Sequence, residues 1–477
     1  MSRNAPRRAV LTAALAAAAT AAAGAAAQSA TAAPATAGGT TRTGGSTTAP
    51  AAGKGGGSSA ADDAPVDYHA WTSYPDWLFG THKGTVPVPG ARPGVRIARA
   101  TGTLDYADPH TGKTTTYEYA SWTSPVRRLP FSATELVSSW NAHTPTGTWI
   151  QVELLGTYTD GTATPAYVMG RWTAGDTDDD IRRTSVDGQG DDTSSIYTDT
   201  FAVDDPSAGK LLASYRLRLT LFRAPGSHDT PTVWRLGAFA SNIPDRFTVP
   251  ASTPGLKGAV ELPVPRYSQD VHAGQYPQYD NGGEAWCSPT SSTMVIEYWG
   301  RGPTAAQLAW VDPSYIDPQV DQGARYTYDY QYEGCGNWPF NAAYAATYKD
   351  LQGVITQLHS LNDIEVLVKA GIPVITSQSF LASELDGAGY STSGHLMCII
   401  GFTADGDVIA NDPASPDDDA VRHVYKRAQF ETVWLRTQRI TATGGTGSGS
   451  GGVVYLYFPV KPSPGQRRAL AAVGVKA

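Results

Sequence analysis

Between Tyr68 and about Pro250, apolar and polar residues alternate in short segments such as "TWIQVELLGTY", "AYVMGRW", "YRLRLTLFRA" and "TVWRLGAFAS", each broken by Gly, Pro, Asp or Asn. A period of two puts successive side chains on opposite faces of a strand. Helical periodicity is nearly absent, so residues 66–250 are expected to form an antiparallel, all-β sandwich. A Pro/Gly-rich stretch around "ASTPGLKGAV" closes that unit. Beyond it the periodicity is mixed. "SPTSSTMVIEYWG" has Pro289 near a helix start and Gly300 where a helix-ending glycine belongs, and "LNDIEVLVKAG" ends in the same way at Gly371. "IPVITSQS", "HLMCIIGF", "VIANDPA" and "VVYLYFPV" read as strands, with "ADGD" turning the second into the third. Residues 258–461 are therefore expected to be an α+β domain and the chain a multidomain protein. The Gly-rich "TGGTGSGSGG" at 443–452 reads as a flexible loop, and 462–477 as a C-terminal tail.

Ahead of the first unit lies a different texture. Residues 1–27 carry Arg7-Arg8, an Ala/Leu stretch and small-residue sites such as Ala25-Ala26-Ala27, the layout of an export signal; the Arg pair fits the twin-arginine route as well as the general secretory one. Residues 28–65 are Ala, Thr, Gly, Ser and Pro, too poor in apolar side chains to offset chain entropy, and read as a disordered linker. No later segment approaches the roughly 18 apolar residues of a membrane span, so the mature chain is expected to be secreted without one. The net charge is −8 and the basic residues form no long run, which argues against nucleic acid as a partner.

Three cysteines in an exported chain of 477 residues make at most one disulfide and leave a thiol over. Cys335 and Cys398 are one candidate pair, and spacing alone does not decide it. Cys287 directly precedes a helical pattern, where unpaired N–H groups and the helix dipole favour a thiolate. A nucleophilic thiol also needs a base and the base an orienting acceptor. His395 opens the strand "HLMCIIGF", and a hairpin centred near Ala404 and Asp405 makes Asp412 its cross-strand neighbour. Gln269, at the end of "VPRYSQ", is the preferred amide donor for an oxyanion over Gln275 and Gln278, because it ends a strand-like segment.

In order, "VPRYSQ", "WCSPTSSTMVIEYWG", "AGIPVITS", "SGHLMCIIGF" and "VIANDPA" resemble the papain-like cysteine peptidases related to the bacteriocin-leader (double-glycine) processing peptidases, in their stand-alone secreted branch. The resemblance covers roughly residues 260–460. It implies a papain-like C-terminal domain with Cys287 as nucleophile, His395 as general base and acid, Asp412 as orienter and Gln269 in the oxyanion role. The implied activity is hydrolysis of peptide bonds in a peptide or protein substrate through a thioester. Many relatives keep the glutamine nearer the cysteine, and nothing here resembles the transporter domains to which leader-processing relatives are fused.

Other residues receive plainer readings. "GDTDDD" at 175–180 and "PDDDA" at 416–420 read as solvated acidic loops; Ile181 stands where a calcium-binding EF-hand loop requires glycine. No His/Cys spacing supports zinc, and neither a metal nor an organic cofactor is expected. His272 is read as a stray cleft residue and His423 as a sheet-surface one. The seven tryptophans from Trp71 to Trp234 are expected in the core of the first unit; the competing reading has exposed rings stacking on cell-wall or extracellular glycan. Three functional alternatives stand beside peptide hydrolysis: amide chemistry on cell-wall peptides, acyl transfer of the transglutaminase type, and a non-enzymatic binding protein with an inert catalytic domain.

Overall fold

The computed structural model describes residues 64–477. The expected export signal, and the linker up to residue 63, lie outside the described residues. From Val66 to Ser241 the chain builds two antiparallel sheets of seven strands each. One is centred on Glu135–His143 and Thr232–Ser241, the other on Trp149–Tyr158 and Leu212–Arg223. Their aromatic side chains meet between them, as Trp71 does with Trp122 (6.1 Å between ring centroids) and Tyr167 with Phe201 (6.0 Å). All seven tryptophans of this unit are buried, so none offers an exposed indole to a sugar ring.

The second unit places helices against a third seven-stranded sheet. Its main path runs Leu351–Gln357, Val453–Pro459, Val374–Phe380, Thr392–Phe402, Val408–Asn411 and Arg422–Tyr425, and Val260–Glu261 adds to the fourth of these. The cysteine helix, Cys287–Tyr298, ends as its glycine requires. Gly300 takes a φ of 66°, its N–H bonds Glu297 O at 2.8 Å, and the Arg301 N–H reaches back to Ile296 O at 3.2 Å. That pair of bonds satisfies carbonyls the helix would otherwise leave open. Leu361–Lys369 closes identically through Gly371.

Three expectations are corrected here. Residues 443–452 are not merely a loop: Thr446–Ser448 pairs with Gln438–Ile440, and Gly449 to Gly452 are buried. Residues 462–477 are not a tail, because Pro464–Ala472 is a helix capped by Ser463 that buries Ala469 and Leu470, with Val475 buried after it. The acidic loop 175–180 is not simply solvated. Asp176 pairs with Arg325 at 2.8 Å in the second unit, and Asp180 accepts from Gly147 N and Thr177 N.

The two units share one continuous apolar core. Phe340, on the helix Trp338–Ala345, packs its ring 6.1 Å from Trp140 and 5.3 Å from Trp172. Asn141 hydrogen-bonds both backbone groups of Gly353, donating to its carbonyl at 2.8 Å and accepting from its N–H at 3.3 Å. Gly353 has no room for a Cβ, which would collide with the Ala342 carbonyl. Buried Arg235 donates to Gln352 Oε1 and to the Lys476 carbonyl.

Candidate active site

Cys287 is the first residue of its helix and is buried. Ser288 Oγ is fixed 3.0 Å from the Tyr455 hydroxyl, and Ser291 Oγ donates to Leu396 O at 3.2 Å, so the helix start is held over the central strands. His395 lies near the start of Thr392–Phe402. Its Nε2 stands 2.8 Å from Asp412 Oδ1, and the Cys287 thiol is near enough to act electrostatically on its ring. Nδ1 is therefore the ring nitrogen left to face the thiol.

The hairpin does bring His395 and Asp412 together, and a centre between Ala404 and Asp405 gives the register seen at the site, with Asp412 diagonal to His395 rather than directly across. Cys398 pairs with Asn411, which sets Asp412 opposite Met397 and makes His395 its diagonal neighbour on the same face. The residue directly opposite His395 is Gln378 on the other side.

Asp412 is fully buried and receives more than the histidine. The hydroxyls of Tyr425 (2.7 Å) and Tyr390 (2.9 Å) and the Ala414 N–H (3.0 Å) donate to its carboxylate. Burial alone would raise its pKa; His395 and the two tyrosine hydroxyls bring it below the usual carboxylate value. Burial would likewise lower the pKa of His395, but the charges of Asp412 and Cys287 outweigh it and raise the imidazole to about 10. Tyr390 and Tyr425 are partners of Asp412 that sequence reasoning missed. His423 is not an idle surface residue: its ring stacks on Tyr425 at 5.4 Å, and its Nε2 meets Ser415 Oγ at 3.1 Å.

Gln269 is buried beside both partners. Its backbone N–H bonds the Pro413 carbonyl next to Asp412 at 2.9 Å, while its side-chain amide donates to Glu284 O at 2.9 Å, three residues before Cys287. Ser268 Oγ donates to the Ser415 carbonyl, and Ser268 N–H to Asp418 at 2.7 Å, so the acidic loop 416–420 clamps this segment rather than standing in solvent. The competing glutamines are elsewhere: Gln275 is spent on His272, and Gln278 is exposed. His272 does not line a cleft. It is buried, its Nδ1 3.3 Å from Asp321 Oδ2 and its ring 5.8 Å from Trp286, and it anchors the turn that follows Gln269.

All three cysteines are free and buried, and Cys335 and Cys398 form no bridge. Burial raises the thiol pKa of both. Among the described residues no group of three or more His, Cys, Asp or Glu side chains is placed to hold a metal, and no helix is long and apolar enough to cross a membrane.

Residues 67–241 match the Peptidase C39 N-terminal domain, and residues 261–442 match the Peptidase_C39 like family. Among solved structures, the chain is similar to a Bacillus anthracis protein described as a C39-like peptidase, with 17% identity over 42% of this chain and 96% of that one and a TM-score of 0.24. It also aligns with the isomalto-dextranase of Arthrobacter globiformis T6, at 10% identity over 37% of this chain and 32% of that one, with a TM-score of 0.16. No curated protein matches. With both of its units matched by C39 peptidase models, the protein is a relative of the C39 papain-like peptidases.

Proposed function

We propose that the protein is a secreted cysteine peptidase that hydrolyses peptide bonds through a Cys287–His395–Asp412 triad, with a β-sandwich joined to a papain-like α+β domain. The observation that carries the reading is His395 held by the Asp412 carboxylate at 2.8 Å, with the Cys287 side chain, at a helix N-terminus, near enough to raise its pKa. His395 takes the thiol proton, and the resulting thiolate attacks the substrate carbonyl. The Gln269 side-chain amide, in the role the resemblance assigns it, and the Cys287 backbone N–H stabilise the oxyanion. His395 then protonates the leaving amine, and water, deprotonated by the same imidazole, hydrolyses the thioester.

The first test needs no known substrate. Iodoacetamide alkylation of Cys287 between pH 4 and 9, read by peptide mass spectrometry, is expected to be fast well below an ordinary thiol pKa of about 8.5. His395→Ala is expected to lose that low-pH reactivity. Alkylation that follows an ordinary thiol in both proteins would remove the activated pair and the peptidase reading with it.

The raised pKa of His395 has a sign that can be checked. The imidazolium needed to protonate the leaving amine persists until the pH passes about 10, so hydrolysis should fall only beyond that point. Asp412→Asn removes the main group raising the pKa, and the alkaline limb of kcat/KM should move to lower pH. The same limb in both proteins would mean that Asp412 does not set the protonation of His395.

A further inference from the structure

The Asp412 carboxylate is a fully buried anion, and among the described residues neither a lysine nor an arginine is hydrogen-bonded or ion-paired to it. His395 bonds a single oxygen, Oδ1, which also takes the Ala414 N–H. Oδ2 is left to two phenols. Tyr425 donates to it at 2.7 Å, and the Tyr390 hydroxyl spans the group, 2.9 Å from Oδ2 and 3.1 Å from Oδ1. The terminal torsion of a free aspartate is broad and two-fold. Here the division of donors between the two oxygens opposes that rotation, so Oδ1 stays turned to the imidazole.

Both hydroxyls arrive on packed rings, from different elements. Tyr390 ends the loop between the Val374–Phe380 and Thr392–Phe402 strands, where Gly387 and Gly389 take φ values of 92° and 77° and the Ala382 N–H closes the loop on Ser391 Oγ at 2.9 Å. Its ring lies 5.2 Å from Phe380 and meets His395 edge-on at 5.5 Å. Tyr425 ends the Arg422–Tyr425 strand, and its ring stacks with His423 at 5.4 Å and with Phe430 at 6.1 Å. Rings fixed in this way present their hydroxyls already in place.

What the hydroxyls do follows from charge. Donors to a carboxylate favour its ionised form, and burial opposes it. Burial and the Asp412 charge push both phenols well above the ordinary tyrosine range, so they remain neutral donors and their support does not titrate away in acid. The other titratable groups at this corner are His395 and Cys287 themselves, Asp270 on the turn after Gln269, whose negative charge opposes that of Asp412, and His423 behind the Tyr425 ring with its Nε2 on Ser415. Asp412 is held below the usual carboxylate value, so its charge survives as the pH falls. With a hydroxyl gone, burial brings protonation at a higher pH. His395 then loses the charge that favours its imidazolium, and the thiolate is lost with it.

We propose that Tyr390 and Tyr425 are positioning residues: their hydroxyls hold Asp412 ionised with Oδ1 turned to His395, and so keep the Cys287 thiol reactive at acid pH. The proposal rests on the peptidase reading above and is tested on the full chain without a substrate. Alkylation of Cys287 by iodoacetamide is followed from pH 4 to 9 in wild type, in Tyr390→Phe and Tyr425→Phe, and in the same two substitutions made on top of Asp412→Asn. Each phenylalanine keeps the ring and removes only the hydroxyl. With Asp412 present, each should move the acid limb of the labelling rate up by about one pH unit, the size of one hydrogen bond to a charged group. With Asp412→Asn neither should move it, because the hydroxyls act through the carboxylate. A limb that stays in place in both variants, or that moves equally with Asp412→Asn, overturns the positioning role and leaves the peptidase reading standing. A rate lowered by the same factor at every pH does so as well, since that is the mark of a loosened fold. Either tyrosine decides the matter should the other variant fail to fold. Slow wild-type labelling that does not depend on His395 overturns both readings.

Discussion

Alanine at His395 is expected to lower kcat/KM for peptide cleavage by about 10⁴-fold or more, with the fold unchanged by near-ultraviolet circular dichroism. In the proposed mechanism the imidazole serves twice, removing the thiol proton before attack and protonating the amine afterwards. His272, the nearest alternative by sequence, is committed to Asp321 and Gln275. Cys287→Ala should give a loss of the same order, and the double substitution should be no worse, because a nucleophile and its base act as a unit. Asp412→Ala should cost less, since Cys287 and His395 can still meet without their orienter. A His395→Ala enzyme retaining more than about a tenth of wild-type kcat/KM would mean that the proton travels by another route.

The chain beginning at residue 251 is expected to show no cooperative thermal transition, whereas residues 64–477 should unfold in one. Removing the N-terminal unit strips Phe340 of Trp140 and Trp172, leaves both backbone groups of Gly353 without Asn141, and deprives Arg325 of Asp176. It also takes Asp199 from the Trp338 N–H, a 2.9 Å bond at the start of its helix. Each newly unpaired polar group near the surface regains water, but the apolar face of the Leu351–Gln357 strand and the Phe340 helix does not gain a partner. Phe340→Ala in the full chain should destabilise by about 3–5 kcal/mol, lowering one shared calorimetric transition rather than splitting it. A truncated chain that melts cooperatively at the temperature of the full one would make the contact between units incidental.

Local signals were enough for much of the site. Glycines 300 and 371 marked helix ends because only a left-handed residue closes those carbonyls, and the "ADGD" turn carried Asp412 back towards His395. Register was legible only to within a diagonal, and the irregularity between Ile399 and Gly401, which sets Asp412 opposite Met397 and so on the face of His395, has no mark in the sequence. Tyr390 and Tyr425 were invisible as partners of Asp412, because nothing local distinguishes a hydroxyl aimed at a carboxylate from one in solvent. The same applies across longer separations. Asp176 looked like one acid in a solvated run, yet its partner Arg325 is 149 residues away. Residues 462–477 looked like a tail because the short apolar face of their helix has meaning only against the Leu361–Lys369 helix and the neighbouring core.

Arg235 and Lys476 are joined across 241 residues, and the same guanidinium holds Gln352. That bond has consequences in time. In a chain emerging from its N-terminal side, the first unit can form its sheets early, but Arg235 must wait as a solvated cation until the last part of the second unit arrives. Contacts of such separation carry a large loop-closure cost before they contribute, so closure of the joint between units belongs to the late, slow phase of folding. On this ordering the seam between the two units closes last of all.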